Sequence, residues 1–194
     1  MKSVAEAASE FRVPLSLVLK SELGREVLKS TSSVPGLVLQ GGGAVHHVFG
    51  SPRFSADLDF AQQPELDEAA LDTALSEAAD TARAAWGACT LEPAASKGRL
   101  HRQKLRVALD PGASYVLAIE RYEVPAHEPE TRPVVDGAAS VRVESAAEII
   151  ADEVVAAIDR FAARGVVLPR AVLEAFDTEQ AVRKVRALFE ELSR

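Results

Sequence analysis

The segment LVLQGGGAVHHVFGSPRFSADLDF, residues 37–60, restricts the possible folds more than any other part of the chain. Leu37-Val38-Leu39 follows the Pro35-Gly36 turn pair and is too short for a buried helix, so it reads as a short buried strand. It runs directly into Gly41, Gly42 and Gly43, three residues without a Cβ. Beyond Ser51-Pro52 the chain alternates. Phe54, Ala56, Leu58 and Phe60 fall on one side, and Ser55, Asp57 and Asp59 on the other. A period of two is strand periodicity with one polar face.

On such a strand, side chains two residues apart point the same way, with Cα atoms about 6.5–7 Å apart. Asp57 and Asp59 should therefore converge, and two carboxylates that close repel unless a cation sits between them. A hard divalent ion such as Mg²⁺ suits carboxylate oxygens and keeps phosphate oxygens and water as further ligands. The glycines complement this, because a backbone without Cβ atoms can bring its N–H groups close to a phosphate, as a nest or a helix N-terminus does. Taken singly, Asp-x-Asp is more often a solvated strand edge and Gly-Gly-Gly a flexible turn. Their combination points to the handling of a metal–triphosphate.

The rest of the chain sets the frame. At 194 residues it can form one substantial domain, or a core with an appendage. Its lone cysteine, Cys89, forms no internal disulfide and reads as a small buried apolar group. No apolar run is long enough to span a membrane, and the acid-containing N-terminus lacks the pattern of a signal peptide, so the expected compartment is the cytoplasm. The net charge of −7 opposes general attraction to nucleic acid. The exception is KGRLHRQKLR (97–106), where basic residues gather without an acid. Arg102, Lys104 and Arg106 alternate onto one strand face there, as candidates for RNA or phosphate binding.

Helical spacing is expected over 14–30 and 64–86, with Gly87 as a stop. Strands are expected over 99–109, 115–124 and 140–143, with a loop over 125–136. From Ser145, which forms a capping-box pattern with Glu148, the chain reads as helical, with later helices over 169–176 and 179–192. The expected architecture is α/β (α+β): a mixed sheet flanked by helices over 1–140, and a helical portion over 141–194 packed on it. His46 and His47 are adjacent and make a poor chelating pair. Trp86 and Tyr122 read as core or rim.

The strand, the paired glycines and the segment Arg53-Phe54-Ser55-Ala56-Asp57-Leu58-Asp59 together resemble the motif of AbiEii-type nucleotidyltransferase toxins. LAIERYEVP (117–125) is similar to the family's strand with a third acid, and SAAEIIADEVVAAIDR (145–160) to its later helix. The resemblance implies the polymerase-β-like nucleotidyltransferase fold and the toxin role in a bacterial toxin–antitoxin pair. It further implies transfer of a nucleotide from an NTP to RNA, with the 3′ end of tRNA as target. On this basis Asp57, Asp59 and Glu120 would be catalytic and hold two Mg²⁺ ions. Gly41, Gly42, Gly43, Arg53 and Ser55 would line the nucleotide. An RNA and a cognate antitoxin are the implied partners, with neither a membrane nor a specific DNA.

The chain departs from the family's pattern at several points. Gly43 stands where relatives carry Thr or Ser, Ala118 and Glu153 where they carry Lys, and Arg170 lacks the aspartate expected beside it. Two further readings therefore stand beside the enzyme: a family member that binds nucleotide, RNA or a partner protein without turnover, and a structural α/β domain.

Overall fold

A computed structural model describes residues 13–110, 113–124, 126–127 and 129–152. The chain divides into two units, residues 1–126 with 131–143, and residues 127–130 with 144–194.

The first unit is built on a seven-stranded mixed sheet. Helix α1 (Leu15–Thr31) begins directly after Pro14, whose fixed φ and missing N–H suit a helix start, and buries Val18, Leu19, Leu23, Val27 and Leu28. Strand β1 (Leu37–Gln40) is followed without a break by the short helix α2 (Gly41–His47). The glycines therefore open a helical turn. Strand β2 covers Asp57–Gln62, so the alternation from Arg53 becomes sheet only at the first aspartate.

Helix α3 (Glu68–Trp86) starts four residues after Pro64. Its start is set by Asp67, whose carboxylate accepts from the amides of Ala69 and Ala70 at 3.0 and 3.1 Å and satisfies two donors of the first turn. Gly87, at φ +93°, ends it. Strands β3 (Ala88–Lys97), β4 (Leu100–Asp110) and β5 (Ala113–Tyr122) follow, then β6 (Glu130–Pro133) and β7 (Ser140–Val143).

The expected strands over 99–109, 115–124 and 140–143 are present. Two were not anticipated. Strand β3 is an edge strand rich in small exposed residues, with Pro93 inside the bulge between Glu92 and Ala95; Pro is tolerated where no ladder bond is required of it. Strand β6 lies within the segment expected to be loop, at the opposite edge of the sheet. The candidate helices over 169–176 and 179–192 lie outside the described residues, as do Glu153 and Arg170.

Strand order is β3-β4-β5-β2-β1-β7-β6, with β2 antiparallel to β1 and parallel to β5. One face carries Leu39, Leu58, Phe60, Leu105, Val107, Leu117 and Ile119, all buried, and is covered by α1 and α3, which also pack on each other. Cys89 is buried at the margin of this layer, where desolvation pushes its thiol pKa up. The expected apolar role follows. Asp57, Asp59, Glu120, Arg102, Lys104 and Arg106 are left on the other face, whereas Gln103 and Arg121 are buried on the helix side, where they bond Asp72 and Glu68.

In the second unit Ser145 Oγ accepts from the Glu148 amide at 3.2 Å, and a helix runs from Ala146 through the last described residue, Asp152. Glu144, at 2% exposure, is held protonated, its pKa pushed up to about 9 by burial and by the charges of Asp152 and Glu148.

Candidate active site

The site forms where β1 ends. Because β1 and β2 are antiparallel, Gln40 at the end of β1 faces Asp59 near the start of β2. Because β2 and β5 are parallel, Asp59 stands beside Glu120 and Asp57 beside Ala118. The register continues into β4, which sets Arg102 opposite Glu120 and Lys104 opposite Ala118. Residues in register on neighbouring strands share a face. Asp57, Asp59, Glu120, Arg102 and Lys104 thus lie on the polar side of the sheet in two adjacent rows. Asp57, Asp59 and Glu120 are all half-buried.

The glycines bring the first turn of α2 against this row. Gly41 adopts φ +61°, a left-handed conformation that glycine takes without strain, and a Cβ there would lie 3.5 Å from Asp59 Oδ2. A Cβ on Gly42 would come within 3.1 Å of Ser55 Oγ, and one on Gly43 within 3.0 Å of Leu58 Cδ2. Gly43 therefore sits tightly against the core, where a Thr or Ser would press on Leu58. The α2 N-cap, Gln40, makes no side-chain capping bond. Ser55 donates to the Asp57 carbonyl at 2.9 Å, which fixes the chain just before the aspartates. Arg53 is exposed in the preceding loop.

The basic strand face is largely committed to carboxylates. Arg102 Nη2 is 2.5 Å from Glu120 Oε1. Arg106 binds Glu92 Oε1 through Nη2 at 2.6 Å, and donates to Ser114 Oγ at 3.2 Å. Lys104, between them on β4, is paired with no carboxylate among the described residues. It faces Asp57 across the small side chain of Ala118, two strand spacings or about 10 Å away at the backbone.

Tyr122 donates to Glu120 Oε2 at 2.6 Å. Burial, that bond and the nearby Glu120 and Asp59 charges all push its hydroxyl pKa up. Tyr122 is the member of the site that sequence reasoning set aside as core or rim. The available signal was its position two residues after Glu120 on a strand, which places both on one face.

The histidines are structural. His46 bridges Ser21 Oγ at 2.7 Å and the Ser51 carbonyl at 2.9 Å, and packs against Phe54. His47 is buried against Gly24 of α1.

The donor chemistry of Asp57 and Asp59 suits a hard divalent ion. Glu120 stands next in the row, but each of its oxygens already receives a donor. Among the described residues no group of three His, Cys, Asp or Glu side chains is arranged to hold a metal ion. No helix among them is long and apolar enough to cross a membrane.

Comparison with known proteins bears on the fold and the family. The fold is similar to that of JHP933 from Helicobacter pylori, at 20% identity over 70% of this chain and 55% of that one, with a TM-score of 0.50. It is also similar to that of MenT4, a nucleotidyltransferase toxin from Mycobacterium tuberculosis, at 19% identity over 79% and 58% of the two chains, with a TM-score of 0.54. The chain thus spans little more than half the length of these solved structures. No curated protein matches it. The model of one family, described as nucleotidyl transferase AbiEii toxin of type IV toxin–antitoxin systems, matches residues 28–170. That span includes the glycine turn, both aspartates, Glu120 and the basic strand, and the chain belongs to the AbiEii nucleotidyltransferase toxin family.

Proposed function

We propose that this protein transfers a nucleotidyl group from a nucleoside triphosphate to the 3′-hydroxyl of an RNA, with the acceptor end of tRNA as target, and that a cognate antitoxin restrains it in the cytoplasm. The observation that supports this best is the register Gln40–Asp59–Glu120, which sets the acidic row beside the glycine turn at the end of β1.

In this reading Asp57 and Asp59 hold Mg²⁺, with Glu120 as the third carboxylate once its present partners move. Two such ions would supply neutralising charge at the reacting phosphate and at the entering and departing oxygens. Gly41, Gly42 and Gly43 admit the triphosphate to the first turn of α2, and Ser55 borders it. Arg53 lies on the exposed approach to the same turn. Lys104 is the cation for the phosphate tail, reaching over Ala118 from the neighbouring strand and replacing the charge that relatives carry at that position. Arg102 and Arg106 flank the path of the RNA. The 3′-oxygen forms a new bond to the α-phosphorus, the α–β phosphoanhydride bond breaks, pyrophosphate leaves, and the hydroxyl proton passes to a carboxylate of the acidic row.

The test is incubation of purified protein with tRNA, Mg²⁺ and each labelled nucleoside triphosphate in turn. Label should enter RNA with the native protein and not with Asp57→Ala. A second reading, binding without turnover, is favoured by Gly43, by Ala118 and by the engagement of both Glu120 oxygens. Unlabelled RNA with all four triphosphates, together with thermal stabilisation by Mg²⁺ and nucleotide, would select it. Absence of any such stabilisation would leave only a structural domain.

A further inference from the structure

Glu120 occupies an unusual position in the acidic row. Its side chain is 12% exposed, its Oε1 is held by Arg102 at 2.5 Å and its Oε2 by the Tyr122 hydroxyl at 2.6 Å. A carboxylate held by two donors can be read in two ways with opposite consequences. The donors could orient it for ligation, as outer-shell partners commonly do. Alternatively, they could occupy the electron pairs that a metal ion would need.

The observed arrangement favours occupation. Arg102 and Tyr122 engage the two oxygens separately, one donor on each, so an incoming ion finds only the second lone pair of either oxygen open. The guanidinium also supplies the positive charge that Glu120 would otherwise take from a metal. Arg102 can leave at modest cost, because its side chain is 44% exposed and can turn into water.

We propose that Arg102 and Tyr122 form a latch on Glu120: they compete with the divalent ion for this carboxylate, so the third ligand is released only as the site is loaded. Release frees the Arg102 guanidinium, a planar donor suited to phosphate, at the moment a polyanion arrives. The protein without substrate thus holds a two-carboxylate site of weak metal affinity, and loading completes it. This inference rests on the metal-dependent reading proposed above.

The experiment is titration of the nucleotide-free full chain with Mn²⁺, followed by the electron spin resonance of the free ion. Releasing Glu120 should tighten binding about fivefold in Arg102→Gln, the order expected for removing one partly exposed ion pair. Tyr122→Phe, which changes no charge, should also tighten it, by about twofold. Lys104→Gln removes a nearby positive charge without touching Glu120, and its gain should be clearly smaller than that of Arg102→Gln. Adding Glu120→Gln to Arg102→Gln should cancel the gain. Unchanged or weaker binding in Arg102→Gln, an equal gain in Lys104→Gln, or a gain that survives Glu120→Gln would each overturn the latch. Failure of the underlying metal reading looks different: Mn²⁺ affinity would then be indifferent to Asp57→Asn.

Discussion

Lowering the pH should weaken the first unit through one residue, His47. It is 4% exposed beneath α1, and its pKa is pushed down to about 3 by burial first, then by the positive charges of His46 and Arg25. In the unfolded chain the same imidazole titrates near 6.5. Below that value the unfolded state takes up a proton that the folded state refuses, so stability is full above pH 6.5 and falls as the pH drops toward 3. From pH 6.5 to 4.5 is two units at 1.36 kcal/mol each, so His47 alone should cost about 2–3 kcal/mol. The assay is urea denaturation at pH 7.0 and 4.5, for the native chain and for His47→Gln. Carboxylates contribute equally to both proteins, and the difference between their pH dependences isolates the imidazole. The native protein should lose about 2–3 kcal/mol more than the variant over this range. Parallel losses, or a His47 ring proton signal titrating near pH 6.5 in the folded protein, would refute the argument.

Three other outcomes are expected. Gly24→Ala would place a Cβ 2.8 Å from His47 Nε2. The gain in helix propensity of about 1 kcal/mol should be outweighed by overpacking of about 1–3 kcal/mol, lowering the denaturation midpoint. Glu144 has the opposite pH dependence to His47. Its folded pKa of about 9 exceeds the ordinary value of 4.5, so its contribution is complete below pH 4.5 and is lost as the pH rises toward 9. Between pH 5 and 8, three units at 1.36 kcal/mol each, the native protein should therefore lose about 4 kcal/mol more stability than Glu144→Gln; equal losses would count against it. Removing the α3 cap with Asp67→Ala should cost about 1 kcal/mol, measurable as a shift in Tm.

Much of the fold is legible in the chain because its signals are local. Helix α1 was readable from its apolar spacing, and α3 from its spacing and its Gly87 stop. Pro64 suggested too early a start for α3, because the capping bond from Asp67 decides that boundary. Strand β3 carries few β-branched residues and holds a proline, so it left no pattern to read. It is a strand because β4 offers it an edge. The glycine segment showed that backbone would pass close to something. That it passes as a helical turn against Ser55 and Asp59 required the β1–β2 pairing.

By itself, the sequence determined that Asp57 and Asp59 share a face, since alternation along one strand needs no partner. It also determined that Arg102, Lys104 and Arg106 do so. Only the tertiary structure decided which of these groups meet. The parallel register of β2 with β5 brings Glu120 beside Asp59, and the antiparallel register of β5 with β4 then gives Glu120 to Arg102 and leaves Lys104 facing Asp57 over Ala118. Register is fixed by burial on the opposite face of the sheet, where Leu58, Ile119 and Leu105 must pack under the helices together. A slip of one residue would turn those side chains outward and scatter the acidic row.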